Sequence, residues 1–307
     1  MRSPNPHFDK DAIDRMRTAL IAGIRNDSRD PNSVAGDQWF AAAFPGHPYS
    51  RRPEGTEKTL ETITHDDLVA LHKRLMARDN LKIAVVGAID AKTLGPLLDK
   101  TFGDLPAKAD LVKVPDATVK TGVVENVDMN VPQTAIRLGL SGLKRSDPDF
   151  IPAYVMNHIL GGRSFSSRLY EEVREKRGLA YSVWSDLAPY DHSGILMAET
   201  ATKAQSAGET LKIIEDQIAR MAKDGPTAEE LKKAKSYLIG SYALRFDTSG
   251  KIASQLVGIQ MEDLGIDYIN KCNGMIEAVT LDDVKRAAKE LLDGKEATIV
   301  TVGRPAS

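Results

Sequence analysis

Cysteine is almost absent from this 307-residue chain: Cys272 stands alone, which excludes an internal disulfide framework and a cysteine-built zinc knuckle and leaves the redox compartment open. Charge of one sign is also lacking, since 41 Lys and Arg face 43 Asp and Glu for a net charge of -2. No basic field therefore exists to draw the chain onto nucleic-acid backbones or anionic membranes. Long apolar runs are missing too. The stretch from Ile83 to Ile89 is far shorter than the roughly 20 residues a bilayer span requires, and Met1 to Lys10 has no apolar signal core. Two imidazoles reach one zinc ion from a helix when spaced as in His-x-x-Glu-His; none of His7, His47, His65, His72, His158 or His192 has that spacing in either direction.

What is present is the composition of a soluble globular protein, 42% hydrophobic and 27% charged, and an internal repeat. Glu61 to Gly87 aligns without a gap on Glu277 to Gly303, an offset of 216 residues, with nine of 27 pairs identical where chance gives roughly two. Each copy has one physical plan. Thr64 or Thr280 caps a helix, and Asp67 or Asp283 returns the capping-box bond. Apolar stripes follow at helical spacing: Leu68, Leu71, Leu75 and Met76 in one copy, Val284, Ala287, Ala288, Leu291 and Leu292 in the other. β-Branched runs, Leu81 to Val86 and Ala297 to Val302, then predict strands ending in glycine.

An offset of domain size predicts two homologous domains rather than a solenoid. Residues 104–118, with prolines and charges but no periodicity, read as the linker between 1–103, the rear half of a first domain, and 119–307, a complete second one. If the copies were once equal in length, the first should begin roughly a hundred residues before Met1, so a truncated first domain is expected. In the second domain, strands at 122–127, 133–140, 179–187 and 194–200, a turn at 189–191 and helices at 148–160 and 166–177 predict an α+β fold with antiparallel pairing, not a doubly wound parallel sheet.

The chemistry concentrates in Arg174-Glu-Lys-Arg-Gly-Leu-Ala-Tyr181. Arg174 lies one turn before Gly178, and Tyr181 is the third residue of the emerging strand, so a chain reversal at Gly178 can bring guanidinium and phenol together. Two converging donors can hold a peptide carbonyl or a developing oxyanion; spacing alone favours a solvated arginine and a half-buried strand tyrosine. His65 and His72 read as surface and packing residues, and His158 as a capping or core residue.

At these residues the sequence resembles the insulinase or pitrilysin family of zinc metallopeptidases, above all its mitochondrial-processing-peptidase-like branch with two homologous domains per subunit. Phe44-Pro-Gly-His-Pro-Tyr with Gly55-Thr56, and Ile83-Ala-Val-Val-Gly-Ala-Ile-Asp, add to the resemblance, which covers nearly the whole chain. It implies two α+β domains, each a mostly antiparallel sheet packed with helices, the first incomplete at its N-terminus. It also makes Arg174 and Tyr181 the substrate-binding pair, and places Gly23 where active members carry a glutamate as third zinc ligand. Glycine cannot coordinate zinc, and no Glu occurs from Met1 to Gln38.

The resemblance thus implies a metal-free, non-catalytic subunit that binds peptide and lends its Arg/Tyr pair to a homologous, zinc-bearing partner. Two alternatives stand beside it: a piece of an active peptidase whose His-x-x-Glu-His lies upstream, and a non-enzymatic scaffold like the core proteins of respiratory complexes. The compartment is left open, with the bacterial periplasm favoured over the cytoplasm.

Overall fold

The computed structural model describes residues 6–162 and 165–304. In chain order come helices α1 (Lys10–Asp27), α2 (Pro31–Ala43), α3 (Glu57–Thr62), α4 (His65–Leu75) and α5 (Ala91–Phe102). Strands β1 (Val124–Asp128) and β2 (Gln133–Ser141), helix α6 (Phe150–Leu160), and strands β3 (Ala180–Tyr190) and β4 (Ser193–Lys203) follow. Helices α7 (Ala207–Asp224), α8 (Ala228–Tyr242), α9 (Ser249–Met261), α10 (Tyr268–Ala278) and α11 (Leu281–Leu292) lead to strand β5 (Thr298–Gly303).

The local chemistry starts these helices where the sequence predicts. Thr64 Oγ1 accepts from the Asp67 N–H at 3.2 Å while Asp67 accepts from the Thr64 N–H at 2.8 Å, and Thr280 and Asp283 repeat the exchange at 3.1 and 2.9 Å. Each box satisfies two backbone donors that a bare helix end leaves unpaired. Asp30 caps α2 by accepting from the Ser33 N–H, and Pro31 at the first helical position loses nothing, because its missing N–H would have had no partner there.

The five strands form one sheet in the order β1-β5-β2-β4-β3, with β1 parallel to β5 and every other pair antiparallel. The architecture is therefore α+β, as the strand blocks predict. Helices cover both faces. On one, Ala35, Trp39, Ala43 and Phe44 pack on Ala135, Ile195, Met197, Val300 and Val302. On the other, α6, α7 and α11 cover the sheet and one another. A sheet covered twice leaves no face for polar residues, so β4 is buried at almost every position instead of alternating.

The chain falls into two compact units that interleave in sequence. One comprises residues 25–53, 114–240 and 272–307 and contains the whole sheet; the other comprises 1–24, 54–113 and 241–271 and has no strand among its described residues. Residues 104–118 form no helix or strand.

This division corrects one expectation. The run from Leu81 to Val86, read as a strand, joins no ladder; its Ile83 carbonyl instead accepts a hydrogen bond from Gln260 at 3.1 Å. A strand exists only through its neighbours. β5, the aligned copy, has β1 on one side and β2 on the other. The aligned helices differ likewise: α11 buries Val284, Ala287, Ala288, Leu291 and Leu292, whereas α4 has no buried residue and leaves Leu71 48% and Leu75 41% exposed. Leu291→Ala is accordingly expected to cost about 2–4 kcal/mol of stability and Leu75→Ala less than about 1 kcal/mol. Urea titration of the two variants reads the difference directly, and equal losses would contradict it.

Candidate functional site

The site is assembled where α6 meets β3. Asn157, buried near the end of α6, donates to the Ser185 carbonyl at 3.2 Å and accepts from the Ser185 hydroxyl at 2.6 Å, while the Ser185 N–H donates to the Gly161 carbonyl at 2.7 Å. These bonds pin the end of the helix to mid-strand. Gly161 is required by close approach, because a Cβ there would collide with Ser185 and Leu169.

Beyond Ser167, where an α-helix through Arg177 is predicted, the chain forms a π-helical turn, Tyr170–Glu175, closed by Lys176 N–H donating to the Glu171 carbonyl at 2.9 Å. Such turns are uncommon and cluster at functional sites. Leu169 and Val173 are fully buried and anchor it. Gly178 then reverses the chain at φ +61°, with its N–H donating to the Arg174 carbonyl at 2.9 Å and Leu179 N–H to Val173 at 3.0 Å. That left-handed conformation suits glycine and few other residues.

The strand that emerges begins with a bulge. Ala180 faces Thr202 and Val183 faces Thr200, so one residue is left over, and the Thr200 and Thr202 hydroxyls hold the Ser182 and Leu179 carbonyls at 2.7 and 2.6 Å. Bulges re-aim side chains. Tyr181, inside this one, stands 82% exposed.

The structure thus brings Arg174 and Tyr181 together, but not as two donors converging on a point. The guanidinium carbon lies 4.6 Å from the Tyr181 ring centroid and 4.9 Å from that of Tyr170, so it is held by aromatic faces through cation–π attraction. Its nearest carboxylate, Glu175, is 3.8 Å away, beyond hydrogen-bond reach. The neighbouring arginines are committed: Arg168 to Glu230 at 2.7 and 2.8 Å, and Arg177 to Glu172 at 2.6 Å. Arg174 makes no side-chain hydrogen bond among the described residues, which leaves its N–H edges for an external acceptor, next to the exposed ring of Tyr181. Tyr170 was not singled out by sequence, although its position four residues before Arg174 on one helical face was a usable signal.

The Arg168 pair ties the start of this turn to Glu230 in α8. Burial by itself would raise the Glu230 carboxyl, but the Arg168 hydrogen bonds and charge and the Thr227 N–H outweigh it and hold its pKa at about 2. A folded-state pKa below the usual value means that this contribution is complete above about pH 4.5 and is lost as pH falls toward 2. A fall from 4.5 to about 2 corresponds to about 3 kcal/mol. Glu230→Gln is expected to flatten the acid limb of the stability curve between pH 5 and 3 by a sizeable part of that amount, read from urea midpoints across pH; an unchanged limb would refute the assignment.

The residues do not fit a zinc ion. Among the described residues no group of three or more His, Cys, Asp and Glu is placed to hold a metal. An added Cβ at Gly23, in α1, would meet open space, so the absence of a ligand there is not forced by crowding. His65 and His72 flank the Phe8 ring at 6.4 and 6.0 Å rather than a shared point, and His158 stacks on Tyr237 at 5.0 Å, its pKa lowered by burial. His47 has a structural part, joining Pro115 and Tyr49 through its two ring nitrogens at 3.0 and 3.2 Å. Among the described residues no helix is long and apolar enough to cross a membrane.

Known proteins resemble this chain in sequence and fold. A zinc protease of unassigned role from Streptomyces coelicolor is 28% identical over 96% of the chain, which spans 66% of that relative's length. The mitochondrial-processing peptidase subunit beta of Lentinula edodes is 25% identical over 97% of the chain and 67% of its own length. A crystal structure of a peptidase M16 inactive domain from Pseudomonas fluorescens superposes with a TM-score of 0.92 at 30% identity, covering 98% of this chain and 72% of that one. Residues 62–238, which include Arg174 and Tyr181, match the family profile described as the peptidase M16 inactive domain. With that match over more than half of its length, the chain belongs to the M16 family of insulinase-like peptidases.

Proposed function

We propose that this chain is the substrate-gripping, non-catalytic subunit of a two-chain M16 peptidase acting on extended peptides or unfolded proteins. The observation that carries the reading is Arg174: a guanidinium clasped by two rings, with no acceptor within hydrogen-bond distance among the described residues, beside an exposed phenol. An extended peptide offers the missing acceptors, its backbone carbonyls. In this proposal a homologous partner subunit supplies the zinc chemistry, and the chain's own residues hold and orient the peptide. Its relatives include zinc proteases and a subunit of a processing peptidase, which supports membership in such an assembly.

The test is reconstitution. A zinc-bearing M16 chain from the same cell should form a stable complex with this one, and only the complex should cleave an unfolded polypeptide. A chain that forms no such complex, or a partner equally active alone, would sink the proposal.

A further inference from the structure

Three arginines line the segment from Arg168 to Arg177, and their settings differ. Arg168 is locked by a bidentate carboxylate and a carbonyl, and Arg177 is fixed by the Glu172 side chain and carbonyl. Arg174 has neither. Its position is set by flat, uncharged partners, the rings of Tyr170 and Tyr181. A carboxylate would consume the in-plane N–H donors of a guanidinium, whereas an aromatic face contacts the plane and leaves the donors at its edge.

Tyr170 is itself held. Phe165, 82% exposed, packs edge-on against it with centroids 5.3 Å apart, and the buried Leu169 and Val173 fix the turn on either side. The π-helical turn sets Tyr170 and Arg174 within the same widened turn of backbone.

We propose that Tyr170 is a positioning residue for substrate binding: its ring holds the Arg174 guanidinium so that the N–H edge, not the plane, meets a backbone carbonyl of an extended peptide. The proposal rests on the reading of Arg174 and Tyr181 as a peptide-gripping pair. It adds a third residue, one that touches the arginine rather than the peptide. Phenylalanine should serve there, since the contact with Arg174 is made by the ring and not by the hydroxyl; leucine, which has no π face, should not.

The experiment uses the full chain and a fluorescein-labelled, reduced and alkylated lysozyme as an unfolded-polypeptide probe. Binding is followed by anisotropy, and the Arg174 Nε–H resonance by NMR. Tyr170→Phe should bind within about twofold of the parent, Tyr170→Leu about five- to tenfold more weakly, and Arg174→Ala at least as weakly as that. The Nε–H resonance should be displaced by ring current in the parent and in Tyr170→Phe, and should move toward the position of free arginine in Tyr170→Leu. If Arg174→Ala binds like the parent, or the parent does not bind, the peptide-gripping reading itself fails. If Arg174→Ala weakens binding but Tyr170→Leu does not, only the positioning role is overturned. An undisplaced resonance in the parent overturns it too, whatever the variants bind.

Discussion

Tyr181→Phe should lower turnover of the assembled peptidase by about tenfold, the cost of losing one hydrogen bond to a bound peptide carbonyl, while leaving the fold untouched. The side chain is 82% exposed, so little packing is at stake, and phenylalanine retains the ring that faces Arg174. Stability should move by less than about 0.5 kcal/mol. The comparison separates chemistry from architecture. A purely structural tyrosine would give unchanged turnover in a steady-state assay on an unfolded polypeptide, and that result would remove the hydroxyl from the mechanism.

The second large effect lies in the core. Trp39 is completely buried, donates its indole N–H to the Thr298 carbonyl at 2.9 Å, and lies so close to Gly139 that a Cβ there would overlap the indole. Phe40 and Phe44 meet it edge-on at 5.3 and 6.3 Å. Trp39→Ala is expected to cost about 3–5 kcal/mol, from lost burial, the cavity and an orphaned carbonyl. That is a large part of the 5–15 kcal/mol typical of a whole domain. Urea denaturation gives the figure, and a loss below about 1.5 kcal/mol would mean that α2 is not the clamp on the sheet described above.

How much of this was legible beforehand depends on how local the cause is. Both capping boxes, at Thr64 and Thr280, were readable because four consecutive residues contain the whole interaction. The reversal at Gly178 was readable for the same reason. The strand predicted at Leu81 to Val86 failed because its residues resemble those of β5, while pairing depends on chain far away in sequence. The hairpin of β3 and β4 was anticipated, but its turn falls at Asp191 and His192, just beyond the middle of the predicted 189–191, since register is set by the ladder and not by the nearest proline. The π-helical turn is invisible because its hydrogen bonds span five residues where an α-helix spans four, a difference that the apolar pattern of so short a segment does not resolve. Arg174 and Tyr181 are legible as a pair, yet their geometry is not: the spacing offers two donors and gives no sign that the ring of one also carries the guanidinium of the other.

Gly23 shows how sequence and structure contribute differently to one residue. Sequence placed it at a ligand position through resemblance alone. The structure adds that a side chain would fit there, and that no described cluster of His, Cys, Asp or Glu is placed to share a metal.

Metal content measured alongside peptidase activity bears most directly on the central claim. The full-length polypeptide, equilibrated with zinc and desalted, should retain substoichiometric metal and show no cleavage alone, gaining activity only with a zinc-bearing M16 partner. One tightly held zinc ion per chain together with unaided hydrolysis would contradict the account.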